Sequence, residues 1–330
     1  MLKKALCSFL IVLSVSVFYY PSFATGLVTS YISEGLFLTD PLKAGKADIG
    51  IDTQYVSASK VANIFDYIFG ASDSPEWVNL NDSSLNSISQ TVTALKISYG
   101  FSDKVSLRIT IPYVSTAVGI NSYPDQVGQG LSDVILEGLY GVREEKGGSP
   151  FIGLNFAVKP ATGRSHDLGK SEFPQGTGST NLYFSGIIKK SIGAATFKGL
   201  LGYAAIGNGE IDIFGKNGFQ GLWIDGGDEI FGSLYFGYAV SDALEIGAEL
   251  WGSEAPKEIW GMMGASSDIE GTETSVLYTS FSAGYKATKD LTLGAALDLP
   301  FNVTPSFAMG NGGAYLYKGT VLNLKATWNI

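Results

Sequence analysis

The feature that most constrains this chain is a change of character at every second residue, sustained over stretches of about ten residues. Between Val105 and Val114, one face carries Val105, Leu107, Ile109, Ile111 and Tyr113 and the other Ser106, Arg108, Thr110 and Pro112. From Phe151 onward, Ile152, Leu154, Phe156 and Val158 oppose Gly153, Asn155, Ala157 and Lys159. A strand with one face in hydrocarbon and the other in water must switch in this way, whereas a helix would repeat every three to four residues. Similar segments run near 47–57, 88–100, 131–142, 180–190, 195–206, 229–240, 243–254, 274–287, 291–300 and 315–330. Together they predict about twelve strands, each long enough to cross a bilayer when tilted.

The connections alternate in length. Phe101–Lys104, Arg143–Ser149, Ser191–Ala194, Ser241–Asp242 and Thr288–Asp290 are short, and between them fall long polar stretches near 58–87, 115–130, 161–179, 207–228, 255–273 and 301–314. Short turns on one side and long loops on the other predict an all-β, transmembrane, antiparallel up-and-down barrel with short periplasmic turns and long extracellular loops. Aromatic residues fall at strand ends, where a membrane interface favours them. Tyr99, Tyr140, Tyr238, Tyr285 and Trp328 are assigned to the short-turn side, and Tyr55, Tyr113, Tyr203 and Trp251 to the long-loop side. The last strand places Leu322, Leu324, Ala326, Trp328 and Ile330 outward, a terminal strand of the kind that the barrel assembly machinery reads, although it ends in isoleucine.

Before this pattern lies a leader. Lys3 and Lys4 precede an apolar run from Ala5 to about Phe18, and Ser22-Phe23-Ala24 supplies small residues at a cleavage position. We expect cleavage after Ala24, a periplasmic segment over 25–46, and a single barrel domain over 47–330. The sole cysteine, Cys7, lies in the leader, so disulfides and cysteine metal sites are excluded from the remainder. A net charge of -9 without a basic block argues against nucleic acid, whose phosphates require clustered Lys and Arg. Glycine at 42 residues beside only 16% charged residues fits a β-architecture better than an average globular chain.

Three stretches resemble the meta-pathway phenol-degradation family of outer-membrane, transporter-like β-barrel proteins. These are Tyr99-Gly100-Phe101-Ser102-Asp103 leading into Ile109-Thr110-Ile111-Pro112-Tyr113-Val114, then Gly130-Leu131-Ser132-Asp133-Val134, then Val158-Lys159-Pro160-Ala161-Thr162-Gly163, where Ala161 is an insertion before the Thr-Gly pair. The resemblance implies a barrel that admits aromatic or other small apolar compounds.

Nothing in the sequence points to catalysis. His166 is the only histidine, and in Ser165-His166-Asp167 consecutive residues cannot converge as a triad requires. Glu210, Asp212, Asp225 and Asp228 could gather a cation, but without a recognisable spacing they read as solvated acidic loops. We expect no catalytic residue, no metal and no cofactor.

If the alternation holds, the inward positions include Asp48, Asp52, Lys96, Arg108, Asp133, Glu137, Lys159, Lys198, Glu245, Glu249, Asp298 and Lys325. A lumen of this size is narrow and low in dielectric, so opposite charges there should pair. These residues are either a network that plugs and stiffens the barrel or the constriction of a narrow pore. A lateral gap in the wall near the long loops is another route for an apolar solute. The segment from Val61 to Trp77 has apolar residues at near-helical spacing, for a short helix either capping the mouth or lying on lipopolysaccharide.

The expected function is passive entry of small, apolar or aromatic molecules through a monomer in the outer membrane of a Gram-negative bacterium, in contact with lipid and lipopolysaccharide. The alternative is a non-conducting structural barrel that acts through its long loops.

Overall fold

In a computed structural model, residues 38–63, 76–79, 85–120, 126–163, 176, 179–211, 222–225, 227–256, 259–262, 265–268, 273–303 and 317–330 are described. Twelve strands form the wall: β1 (Ala47–Asn63), β2 (Leu85–Ser102), β3 (Val105–Ile120), β4 (Ile135–Arg143), β5 (Phe151–Lys159), β6 (Asn181–Ile192), β7 (Ala195–Ala205), β8 (Glu229–Ala239), β9 (Leu244–Ala255), β10 (Thr274–Lys286), β11 (Leu291–Val303) and β12 (Tyr317–Asn329). Each pairs antiparallel with the next, and β12 pairs with β1 from Asp48↔Asn329 to Val61↔Tyr317, which closes the barrel. Closure removes the sheet edges that a membrane would leave without hydrogen bonds.

Three of the short turns share one device. Ser102 Oγ accepts from the N–H groups of Lys104 and Val105 at 3.3 and 3.1 Å. Ser241 Oγ does so from Ala243 and Leu244 at 3.3 and 3.1 Å, and Thr288 Oγ1 from Asp290 and Leu291 at 3.2 and 3.0 Å. A hydroxyl opening the turn satisfies two backbone donors that the hairpin leaves over. In the β6–β7 turn, Gly193 takes a φ of 60° at the first central position, which a side chain would disfavour. Between β4 and β5, Glu145 accepts from the Ser191 N–H at 2.7 Å, and that bond holds its carboxyl below the usual carboxylate range.

The outer face is apolar. Leu201 and Leu234 are both 68% exposed, with Leu154, Phe156, Phe184, Ile230 and Phe281 among many others. So much exposed hydrocarbon fits a lipid-facing surface and no ordinary soluble one. Tyr99, Tyr140, Tyr238, Tyr285 and Trp328 are exposed near the short turns, and Tyr55, Tyr113 and Tyr203 towards the long loops. Trp251 departs from its expected place in the outer girdle. It is only 1% exposed and shares the inward parity of Glu249 and Ser253. Its nearness to the strand end suggested an interface residue, but parity turns its side chain into the lumen.

Glycines of the wall differ in the room beside them. A Cβ on Gly202 would stand 2.3 Å from the Phe231 ring and 2.8 Å from the Phe184 carbonyl oxygen, whereas one on Gly186 would meet nothing within 4 Å. Gly202→Ala is therefore expected to lower stability by about 1–3 kcal/mol. Gly186→Ala should stay within about 0.5 kcal/mol of the parent. Denaturant titration followed by the mobility difference between folded and unfolded barrel on gels compares the two.

Outside the wall, Gly209–Ile211, Leu222–Asp225, Ile259–Met262 and Ala265–Asp268 form a separate four-stranded sheet built from two of the long loops. Glu76–Asn79 pairs antiparallel with the end of β1, Val61 opposite Val78 and Ala62 opposite Trp77. Both ends of the segment read as a helix are thus strand, because two facing extended runs satisfy each other's backbone groups. Its middle, 64–75, lies outside the described residues, as do the leader and His166.

Candidate functional site

The inward positions divide the lumen into two zones. In the half towards the short turns, the charged residues meet. Lys96 pairs with Asp52 across β1 and β2, and Arg108 with Glu137 across β3 and β4. Lys159 Nζ stands 3.9 Å from the Asp133 carboxylate higher on the wall. Asp298 accepts from Asn323 Nδ2 at 2.8 Å. Lys198 sits 4.6 Å over the Tyr235 ring, whose hydroxyl donates to Glu245 Oε1 at 2.7 Å. Asp52, Lys198, Glu245, Glu249 and Lys325 line a cavity of about 810 Å³ on the β7–β12 side, which reaches the short turns at Gly193 and Asp242. Asp48 stands half-buried at the short-turn end of β1.

Towards the long loops, valines and aromatic rings join the inward face beside the buried Lys159, Asp133 and Glu229. Val56, Val92, Val114, Val276, Val303 and Val321 are buried, with Phe231 and Trp251 each 1% exposed. Gln90 Nε2 donates to Thr116 Oγ1 at 2.8 Å within this zone. Tyr183 approaches Phe231 edge-on at 6.4 Å, and Trp251 stacks on Tyr278 at 4.6 Å with planes 4° apart. The charged list alone does not reveal this zone, since inward valines look like outward ones until parity is followed.

The chain before β1 occupies the short-turn mouth. The Leu38 N–H donates to Glu137 Oε1 at 2.5 Å, and Asn155 Nδ2 donates to the Leu38 carbonyl at 3.1 Å. The Leu42 N–H reaches Ser106 Oγ at 2.7 Å, and Lys189 pairs with Asp40 at 2.6 Å. The Leu38 side chain packs among Leu139, Phe151 and Ile187, all on inward positions. Residues 38–42 of the segment assigned to the periplasm, 25–46, are thus seated in the barrel mouth, against the β3–β6 side and opposite the cavity.

Near the long loops the wall is interrupted between β3 and β5, as the β11–β12 ladder is beyond Asp298↔Val321. Gln126–Leu131 pairs with β3 from Val118 to Tyr113, and β4 resumes at Ile135 opposite Thr110. Three residues, Ser132 to Val134, thus stand against the two positions Ile111 and Pro112, a bulge beside a proline that has no N–H to offer. On its other side, β4 meets β5 only from Leu136↔Val158 downward. Above that level side chains replace the ladder: Asp133 Oδ1 accepts from the Gly163 N–H and Thr162 Oγ1 from the Val134 N–H, both at 2.8 Å. A Cβ on Gly163 would lie within 2.9 Å of Ser132, Asp133 and Gly176, so the loop neck closes tightly over this point. Glu229 at the start of β8, Asn181 at the start of β6 and Ser179 just before it are buried at the long-loop end and escaped the sequence reading, the first because it sits on a loop boundary and the others because they are uncharged.

Among the described residues no group of three or more His, Cys, Asp or Glu side chains could hold a metal ion. Asp228 accepts from the Tyr203 hydroxyl and, at 3.2 Å, from the Ile206 N–H. Glu210 and Asp225 lie on separate short strands of the outer sheet, and Asp212 is outside the described residues.

The model of the family described as "Putative MetA-pathway of phenol degradation" matches residues 69–317. No curated protein matches the sequence. Among solved structures, the chain is similar to the COG4313 outer membrane channel from Pseudomonas putida F1, with a TM-score of 0.65 at 14% identity over 88% of this chain and 98% of that one. It is also similar to the TodX deltaS2S3 mutant monoaromatic hydrocarbon channel, with a TM-score of 0.50 at 10% identity over 93% and 97% of the two chains. At these identities the likeness is one of fold: the molecule is built as an outer-membrane β-barrel.

Proposed function

We propose that this chain, which belongs to the phenol-degradation-pathway family matched over residues 69–317, lets small apolar or aromatic molecules enter passively across the outer membrane, with no reaction and no cofactor. The observation that carries this reading is the apolar outer lumen beside the interrupted wall. A solute leaving water at the long-loop end meets buried valines and aromatic rings, and beside it Ser132–Val134 is held to β3 by the Ser132 N–H to the Pro112 carbonyl at 2.9 Å and on the β5 side by two side-chain bonds in place of a strand ladder. The residues that carry the family resemblance, around Pro112, Asp133 and Thr162-Gly163, meet at that interruption. We place the protein as a monomer in the outer membrane of a Gram-negative bacterium, delivered with a cleaved leader, folded by the barrel assembly machinery and surrounded by lipid and lipopolysaccharide.

The second reading, a barrel that conducts nothing and acts through its long loops, is favoured by the segment seated in the short-turn mouth. Proteoliposomes carrying the folded protein separate the two. Toluene and phenol are expected to enter faster than in protein-free vesicles, while ionic conductance stays low. Tight vesicles around a correctly folded barrel would sink the first reading. Arg108→Ala, which removes the partner of Glu137 in the charged zone, is expected to alter the flux of small polar solutes. If no solute flux changes in that variant, the charged zone is not on a conducting path.

A further inference from the structure

Trp251 and Ser253 occupy successive inward positions of β9, 1% and 7% exposed, and neither the indole Nε1 nor the serine Oγ has a hydrogen-bond partner among the described residues. Two buried, unpartnered polar atoms on successive inward positions are unusual, because each forfeits its bond to water without replacement. Register gives them their surroundings. Trp251 lies between Ser233 on β8 and Tyr278 on β10, and Ser253 between Phe231 and Val276. One inward step towards the short turns, Glu249 and Ser280 already line the large cavity. The stacked Trp251–Tyr278 pair therefore stands at the level where the apolar zone gives way to that cavity.

We propose that Trp251 and Ser253 form a hydrogen-bonding subsite that prefers an aromatic ring bearing one hydroxyl or carbonyl oxygen over a bare hydrocarbon. An indole N–H only donates, and a serine hydroxyl both donates and accepts. Together they suit an oxygen that accepts from the indole and exchanges a second bond with the serine. The rings of Phe231, Trp251 and Tyr278 provide the aromatic surroundings that a planar solute would pack against. An anionic solute is disfavoured here, since Glu229 lies one inward step above Phe231 and Glu249 one step below Trp251. The inference rests on the reading of the barrel as a passive route for small apolar molecules and names the class of solute that route selects.

The test uses the full mature barrel, folded in lipid vesicles, with phenol and toluene as probes and each flux corrected for partition into protein-free vesicles. Wild-type protein is expected to favour phenol by about tenfold, the worth of one to two net hydrogen bonds. Trp251→Phe keeps a ring but removes the donor, and Ser253→Ala removes the hydroxyl. Each is expected to bring the ratio towards parity by slowing phenol while toluene entry is unchanged, which also shows that the variant has folded. Quenching of Trp251 fluorescence by phenol, absent in Trp251→Phe, gives a reading independent of transport. Equal entry of phenol and toluene in the wild type, or an unchanged ratio in both variants, overturns the subsite and leaves passive entry standing. Entry of neither solute overturns both.

Discussion

Deleting residues 25–44 raises ionic conductance several-fold in planar bilayers, while the barrel still folds. The wall begins only at Ala47, and its closing bonds, Ala47 N–H to the Ile330 carbonyl at 3.2 Å and Ile330 N–H to the Ala47 carbonyl at 2.7 Å, do not involve the deleted stretch. What the deletion removes is the strap across the short-turn mouth. Leu38 leaves the apolar seat made by Leu139, Phe151 and Ile187, and Glu137, Ser106 and Asn155 are handed back to water. The fit of the strap is close: a Cβ on Gly100 would lie 2.3 Å from the Lys43 carbonyl oxygen. Asp40→Lys is a gentler version, since it sets a like charge against Lys189 and should raise conductance less. Conductance unchanged in the deletion would place the barrier to ions at the apolar end instead.

Glu137→Ala is expected to cost about 3–5 kcal/mol of stability, the range for breaking a buried ion pair by removing one member. Both side chains are more than nine-tenths buried, and the carboxylate serves three partners: the Arg108 guanidinium, the Leu38 N–H and, at 2.6 Å, Asn155 Nδ2. Alanine leaves all three without that acceptor in a low-dielectric interior, and the strap loses its first anchor. Glu137→Gln keeps an acceptor for Leu38 and loses the ion pair, so an intermediate loss is expected. Replacing Arg108 and Glu137 together by methionine should recover most of the loss, because two apolar side chains no longer need each other. Denaturant unfolding of the parent, Arg108→Met, Glu137→Met and the double methionine variant forms a double-mutant cycle, beside which Glu137→Ala and Glu137→Gln are read singly. A single-mutant loss below about 1 kcal/mol would show that water reaches the pair.

These effects concern residues that differed greatly in legibility. Arg108 and Glu137 could be placed on the inner wall from sequence, because the two solvents of a barrel force a period of two and parity then sorts every residue of a strand. The same rule held across Val105–Val114 and Phe151–Lys159, and an up-and-down order of about twelve strands followed from loop lengths. The strap was hidden for a definite reason. It binds largely through its backbone N–H and C=O groups, which every sequence possesses, and it has no periodicity to betray it. Trp251 was misplaced because distance from the strand end was weighed above parity with Glu249. The apolar outer zone is composed of valines indistinguishable in type from those outside. The interruption at Ser132–Val134 was obscured by reading 131–142 as one continuous strand, although Pro112 opposite marked a position that cannot donate. The outer four-stranded sheet is made of runs of three or four residues, too short for any pattern to show.

The seam between β1 and β12 is an antiparallel ladder like those between strands adjacent in sequence, and it leaves Ala47 and Ile330 side by side. The circle of strands therefore has no natural beginning. Where the gene happens to cut it is a matter of history, and a chain opened at another short turn, with its old ends joined, should trace the same ring. What the present cut does decide is timing: the first strand must wait, with one edge open, until the last thirteen-residue strand has been delivered.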